Sequence, residues 1–220
     1  MTQTQTNKKY PAKGLNHSNS KIETKVGRPK EFDEEQVLER AMNYFWDHDY
    51  DSASLSDLLK AMKISKSSFY QTFSSKQRLF ERCLALYAKE QIQWINEQLQ
   101  HKTAVEILFD ILHISISEIK KFGEIRGCLL MNNAEVCYKK YPDLSALIKQ
   151  QFVQFHDAFK TIINNGQQAG NISAYYDAST LSSIFINTLN GLSIMIKAGA
   201  DKEMIEAVLK GFKQQLQTKQ

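Results

Sequence analysis

The sequence predicts an all-α protein: an N-terminal three-helix helix-turn-helix domain followed by a helical C-terminal domain. Three observations carry this. Apolar residues recur at i, i+3, i+4 and i+7 through most of the chain, and no strand-like alternation or internal repeat competes with that period. Only 3 prolines and 9 glycines punctuate 220 residues. The stretch Ala53–Phe73, ASLSDLLKAMKISKSSFYQTF, reads as two short helices joined by a tight turn.

Composition bounds the rest. A hydrophobic share of 42% is enough for a sizeable core. The formal net charge is only +4, but it is unevenly placed. Lys8, Lys9, Lys13, Lys21, Lys25, Arg28 and Lys30 face a single acid, Glu23, in the first 30 residues, which leaves a slight acid excess in the body. Residues 1–27 are polar, with few large apolar side chains, and are expected to be a disordered basic tail. Such a tail is either a contact for a polyanion or merely solvated. The polar N-terminus contains no apolar signal region, so a cytoplasmic protein is expected. Three cysteines without paired spacing suggest neither a disulfide framework nor a zinc site. No metal ligand set, catalytic residue or cofactor motif is expected, and the chain does not read as an enzyme.

Taken in order, Gly27-Arg28-Pro29-Lys30 is a stiff basic arm suited to a phosphate backbone or a minor groove. Asp33 and Gln36 have capping-box spacing, Phe32 and Val37 sit at staple positions, and Val37, Leu38, Ala41, Met42 and Phe45 form a buried face. Residues 46–51 are expected to end this helix in a polar turn. Ser54, with Asp57 three residues on, caps a second helix with the stripe Leu55, Leu58, Leu59 and Met62. Ser65 caps a third, in which Phe69 and Phe73 are expected to be core. Ser74, with Gln77 three residues later, signals a fourth helix running toward Gln100 on Leu79, Phe80, Cys83, Leu84 and Tyr87.

The C-terminal part continues helix after helix. Val105, Leu108, Phe109, Leu112, Ile116 and Ile119 form a stripe that runs into a stop at 120–123. Another helix opens at Gly127-Cys128 and ends before Tyr141-Pro142. A long one runs from Asp143 and ends either near Asn165-Gly166 or at Gly170. Asp177 caps a helix over 178–196 that carries no charge. Its serines, threonines and asparagines make it too polar for a bilayer core, so it is expected to be buried in protein, with no membrane partner. Asp201 caps the last, with Met204, Ile205, Val208, Leu209 and Phe212 on one side.

Two helices joined by a turn of this length have the spacing of a helix-turn-helix, whose second helix enters the major groove of DNA. Lys60, Lys63, Lys66, Lys76 and Arg78 meet no acid between them, whereas nine acids and one base lie between Glu31 and Asp57. One face therefore suits phosphate and its neighbour does not. Lysines and hydroxyls near a helix N-terminus contact phosphate, Gln71 has the donor and acceptor to read adenine, and Lys66 can reach guanine.

These residues resemble a known family. Gly27-Arg28-Pro29, Phe32-Asp33, Ala41 and Phe45, Tyr50, Ser54-x-x-Asp57-Leu58-x-x-Ala61, Ser65-x-x-Ser68-Phe69-Tyr70-x-x-Phe73 and Ser75-Lys76-x-x-Leu79-Phe80 are similar to the tetracycline-repressor (TetR) family of bacterial transcription regulators. The resemblance implies a DNA-binding domain at 28–75 and a regulatory and dimerisation domain at 76–220 that opens with a linker helix, 76–100. It also implies a homodimer through the last two helices, about 177–217, and release from a palindromic operator when a small-molecule inducer binds. Ser54, Ser68, Tyr70, Thr72 and Lys76 fall where the family contacts phosphate; Lys66, Ser67 and Gln71 fall where it contacts base edges. Asp49, Lys63 and Ser67 replace glycines common in the family, and Lys63 is expected to need a left-handed conformation.

Outside the head, Phe109, His113, Met131, Phe152, Phe155, Phe159 and Phe185 are either plain packing or the lining of an apolar ligand pocket, and the resemblance favours the pocket. Cys128 follows Arg126-Gly127 at a helix start. It is either a thiol sensor of electrophiles or oxidants, as in relatives with a similar Gly-Cys-Leu segment, or a small buried hydrophobe. A helical protein-interaction module without specific DNA binding is the reading from another class.

Overall fold

The computed structural model describes residues 32–122 and 126–217. The tail over 1–27, the arm containing Arg28 and the stop expected at Gly123 lie outside the described residues. Among those described there are nine helices and no strand: α1 (Glu34–Asp47), α2 (Leu55–Met62), α3 (Lys66–Phe73), α4 (Lys76–Gln98), α5 (Ala104–Phe122), α6 (Leu129–Cys137), α7 (Pro142–Gln168), α8 (Ala178–Lys197) and α9 (Lys202–Leu216). α1 packs on α2 and α4, and α3 rests on α4. α7 lies against α4, α5, α6 and, most extensively, α8, which α9 also covers.

Local chemistry sets most boundaries. Ser54, Ser65, Asp177 and Asp201 each accept a hydrogen bond from a first-turn amide of the helix they precede. The cap of α4 corrects the expectation at Ser74. Ser75 accepts from the Arg78 amide at 3.1 Å, while Ser74 adopts φ +63° and lets the Ser75 amide reach back to the Phe73 carbonyl at 2.7 Å. This turn is tighter than a capping box allows, and it leaves α3 and α4 almost no linker. α7 starts one residue earlier than the pattern suggested. Pro142 occupies its first turn, where the missing amide costs nothing, and the helix runs past Gly166 to Gln168 before Gly170 at φ +76°.

The stretch 46–51, which opens inside α1 at Trp46, is not a polar turn throughout. Trp46 and Tyr50 are both buried, because residues about eighty positions later pack over them. In α2 only Leu58 and Met62 of the four-residue stripe are buried. α8 is long and apolar enough, by length and composition, to cross a membrane. Here Leu181, Phe185, Ile186 and Leu192 are buried, while Ile194 remains 68% exposed. In α9, Phe212 and Leu216 carry the burial and Met204 is 55% exposed.

Candidate nucleic-acid interface

The candidate reading helix, α3, is held from both ends. At α2 the cap is reciprocal: the Asp57 amide donates to Ser54 Oγ at 3.2 Å, and that hydroxyl donates to Asp57 Oδ2 at 2.6 Å. Asp57 also accepts from Lys60 Nζ at 2.9 Å, and the Ser54 and Lys60 bonds keep its carboxyl below the usual carboxylate range. α2 then stops at Lys63, whose φ of 58° and ψ of 42° are left-handed as expected, with its amide turned back to the Leu59 and Lys60 carbonyls. A lysine in that region costs roughly 1–2 kcal/mol relative to a helical conformation. Lys63→Gly is therefore expected to raise stability by about 0.5–1 kcal/mol, glycine's looser unfolded chain offsetting part of the relief. A urea midpoint that does not rise would remove the strain.

α3 begins at the next residues. Ser65 Oγ accepts from the Ser68 amide at 3.1 Å and shares a 2.9 Å hydrogen bond with the Ser68 hydroxyl. Phe69 and Phe73, one turn apart, are buried against the core. With that face fixed, Lys66, Ser67, Tyr70 and Gln71 are exposed, two pairs four residues apart along the outer face. Tyr70 is 48% exposed although its ring meets Phe69 edge-on at 5.2 Å. Ser68 and Thr72 are half-buried on the flanks.

Lys76 stands in the first turn of α4, beside the end of α3. Its Nζ lies 4.6 Å from the centroid of the Tyr50 ring. Burial lowers its ammonium pKa from the ordinary lysine value, while Asp51 and Asp49 work the other way. Apart from Ser54 at the start of α2, the described base-edge and phosphate candidates thus share one exposed helix and the helix start that abuts it, where free amides and positive charge favour an anion. Among the described residues, no group of three or more His, Cys, Asp or Glu is placed to hold a metal ion.

Two family models match this arrangement, the bacterial regulatory proteins of the tetR family over residues 37–83 and the tetracyclin repressor-like C-terminal domain over residues 105–212. The chain belongs to the TetR family of DNA-binding transcriptional regulators. The HTH-type transcriptional repressor ComR of Escherichia coli K12 is 27% identical over 184 residues, covering 81% of this chain and 86% of ComR. The TetR-family regulator CifR, a cysteine mutant complexed with 26-base-pair operator DNA, is 27% identical and superimposes with a TM-score of 0.70 over 87% of this chain and all of that one. A TetR regulatory protein from Rhodobacter sphaeroides, 17% identical, shares the fold with a TM-score of 0.74, covering 83% of this chain and 98% of its own.

Sequence reasoning missed how this TetR-family head is fastened. The buried Asn133 of α6 accepts from the Tyr50 amide at 2.7 Å and donates to the Leu129 carbonyl at 3.0 Å. Trp46 Nε1 donates to the Gly127 carbonyl at 2.9 Å, and the Arg126 guanidinium lies 4.4 Å from the Trp46 ring centroid. Arg126 also donates to Asp47 at 2.7 Å and to the Asn43 side chain and carbonyl at 3.0 and 2.8 Å. Asp51 accepts from Lys140 at 2.6 and 2.7 Å and from Tyr141 Oη at 2.6 Å. The Lys140 and Tyr141 bonds hold its carboxyl below the usual range. Because the folded value lies below the unfolded one, this tie contributes above about pH 4 and is lost as pH falls through the lower folded value. The signal available in the sequence was a Trp, an Arg and an Asn among apolar neighbours, without any indication of their partners.

The pocket candidates divide. Phe155, Phe159 and Phe185 are buried in one ring series, with centroids 6.3 and 4.7 Å apart. Phe185 continues to Phe212 at 5.6 Å and Phe109 meets Phe212 at 6.0 Å. Met131 and Phe152 are half-buried, and His113 is exposed beside Phe109 rather than in the core. Cys128 is half-buried at the N-cap of α6, where it makes no capping bond, and its Sγ accepts from Tyr87 Oη at 3.6 Å. Cys83 and Cys137 are buried; burial pushes the Cys137 thiol up to about 11.

Proposed function

We propose that this regulator represses transcription as a homodimer and lets go of its operator when a small molecule binds the domain formed by residues 76–220. The observation that carries the reading is the outer face of α3, where Lys66, Ser67, Tyr70 and Gln71 project from a helix anchored by Phe69 and Phe73. Lys66 and Gln71 have the donors and acceptors to read base edges; Tyr70, Lys76 and the amides at the starts of α2 and α4 suit phosphate. The exposed Ile194 of α8 and Met204 of α9 support pairing through these two helices. Two copies of α3 would then read major-groove faces ~34–36 Å apart on a roughly palindromic site. Names among the relatives agree: ComR is a repressor, and the CifR mutant is complexed with operator DNA. The aromatic series from Phe155 to Phe185 supports the low-polarity ligand site between helices.

The experiment is retardation of DNA fragments from the gene's own neighbourhood, followed by a search for compounds that release them. A protein-interaction module would retard none of them specifically. On the fragment that binds, Lys76→Ala is expected to weaken all sequences alike and to flatten the plot of log affinity against log salt by about one unit. The variant also loses a cation–π contact of about 0.5–1 kcal/mol, so its melting temperature is measured alongside. An unchanged salt slope in a folded variant would take Lys76 out of the interface.

A further inference from the structure

Gln151 is a buried polar residue on α7, 5% exposed, and its Oε1 has no hydrogen-bond partner among the described residues. Most buried carbonyl oxygens in folded proteins are satisfied, and one left bare costs stability that an apolar side chain of similar size would not. Its buried neighbours one turn away on α7 are apolar. One turn before it is Ile148 and one turn after it is Phe155, both buried. The Phe155 ring faces Tyr87 of α4 at 6.1 Å, and Tyr87 meets Trp46 edge-on at 4.9 Å while donating to Cys128. An unpaired acceptor therefore sits one helical turn from a row of rings that ends on the α1 residue hydrogen-bonded to Gly127.

We propose that Gln151 Oε1 is the hydrogen-bonding contact for the regulatory ligand, and that this ligand is a neutral aromatic molecule bearing an O–H or N–H donor. The proposal rests on the ligand-responsive reading given above. The unpaired carbonyl oxygen is satisfied by a donor, and the buried Ile148 and Phe155 disfavour any full charge on the ligand. The flanking rings supply the faces and edges against which an aromatic body packs. A ligand seated there presses on Phe155 and Tyr87, and through Tyr87 on Trp46 of α1.

Phenol and toluene test this, because they differ by an O–H in place of a methyl group and toluene is the more readily driven out of water. Their binding to the full chain is measured by calorimetry, which requires no DNA. The wild type is expected to bind phenol at least tenfold more tightly than toluene. Gln151→Leu is expected to prefer toluene and to melt no lower than the wild type; Gln151→Met serves the same comparison if the leucine variant does not fold. Failure of the wild type to bind phenol, equal binding of the two probes, or a phenol preference that survives loss of the amide overturns the proposal. A structural water on Oε1 would give equal binding. Retardation of operator DNA is measured separately: its absence beside an intact phenol preference counts against the regulatory reading and leaves Gln151 as a ligand contact.

Discussion

Phe69→Ala is expected to destabilise the protein by about 3–5 kcal/mol and to abolish operator retardation at concentrations where the wild type is saturated. Phe69 is fully buried, its ring 5.9 Å from that of Phe73, and α3 has eight residues. A helix of two turns has almost no stability of its own, so its existence depends on the face it buries. The substitution removes no group that faces DNA. Loss of binding would therefore report the anchoring of the reading face rather than a deleted contact. Differential scanning calorimetry and retardation on the same samples check it. A variant that melts within a degree of the wild type would show that α3 is held by something other than its two phenylalanines.

Asn133→Ala is expected to cost about 2–3 kcal/mol, because it strips the buried Tyr50 amide of its acceptor and leaves a small void. For a chain of this size that is a fall in melting temperature of about 4–12 °C. Asn133→Asp keeps the acceptor but loses the donor to the Leu129 carbonyl and buries a charge, so it is expected to be no better at neutral pH. The informative second readout is operator affinity. Tyr50 also lies 4.8 Å edge-on to Tyr141, and its ring carries Lys76. Loosening the Tyr50 turn therefore moves a proposed phosphate contact that Asn133 never touches. Unchanged affinity in a destabilised but folded variant would confine Asn133 to stability.

The sequence was most legible where structure is decided within a few residues. The helix starts at Ser54, Ser65, Asp177 and Asp201 depend on a side-chain oxygen reaching an amide two or three positions away, and that spacing is printed in the chain. The left-handed Lys63 was equally local. So was the inward placement of Phe69 and Phe73, which follows from one helical turn of apolar period and fixes by exclusion the outward face of α3. Where two local signals competed, the sequence could not arbitrate. Ser74 and Ser75 can both cap, and the choice fell to Ser75 because α3 must dock on α4 with almost no linker between them.

By itself, then, the sequence determined an all-helical regulator with a short helix at 66–73 following a capped turn, since periodicity, caps and motif spacing are properties of neighbours along the chain. Only the tertiary structure decided how that head is tied down. The bonds from Trp46 to Gly127, Tyr50 to Asn133 and Asp51 to Lys140 and Tyr141 join residues 81 to 90 positions apart. No period or local motif links such pairs. That the Gln151 Oε1 finds no partner among the described residues is likewise defined only once every neighbouring helix is in place, because satisfaction of a buried carbonyl depends on all its surroundings at once.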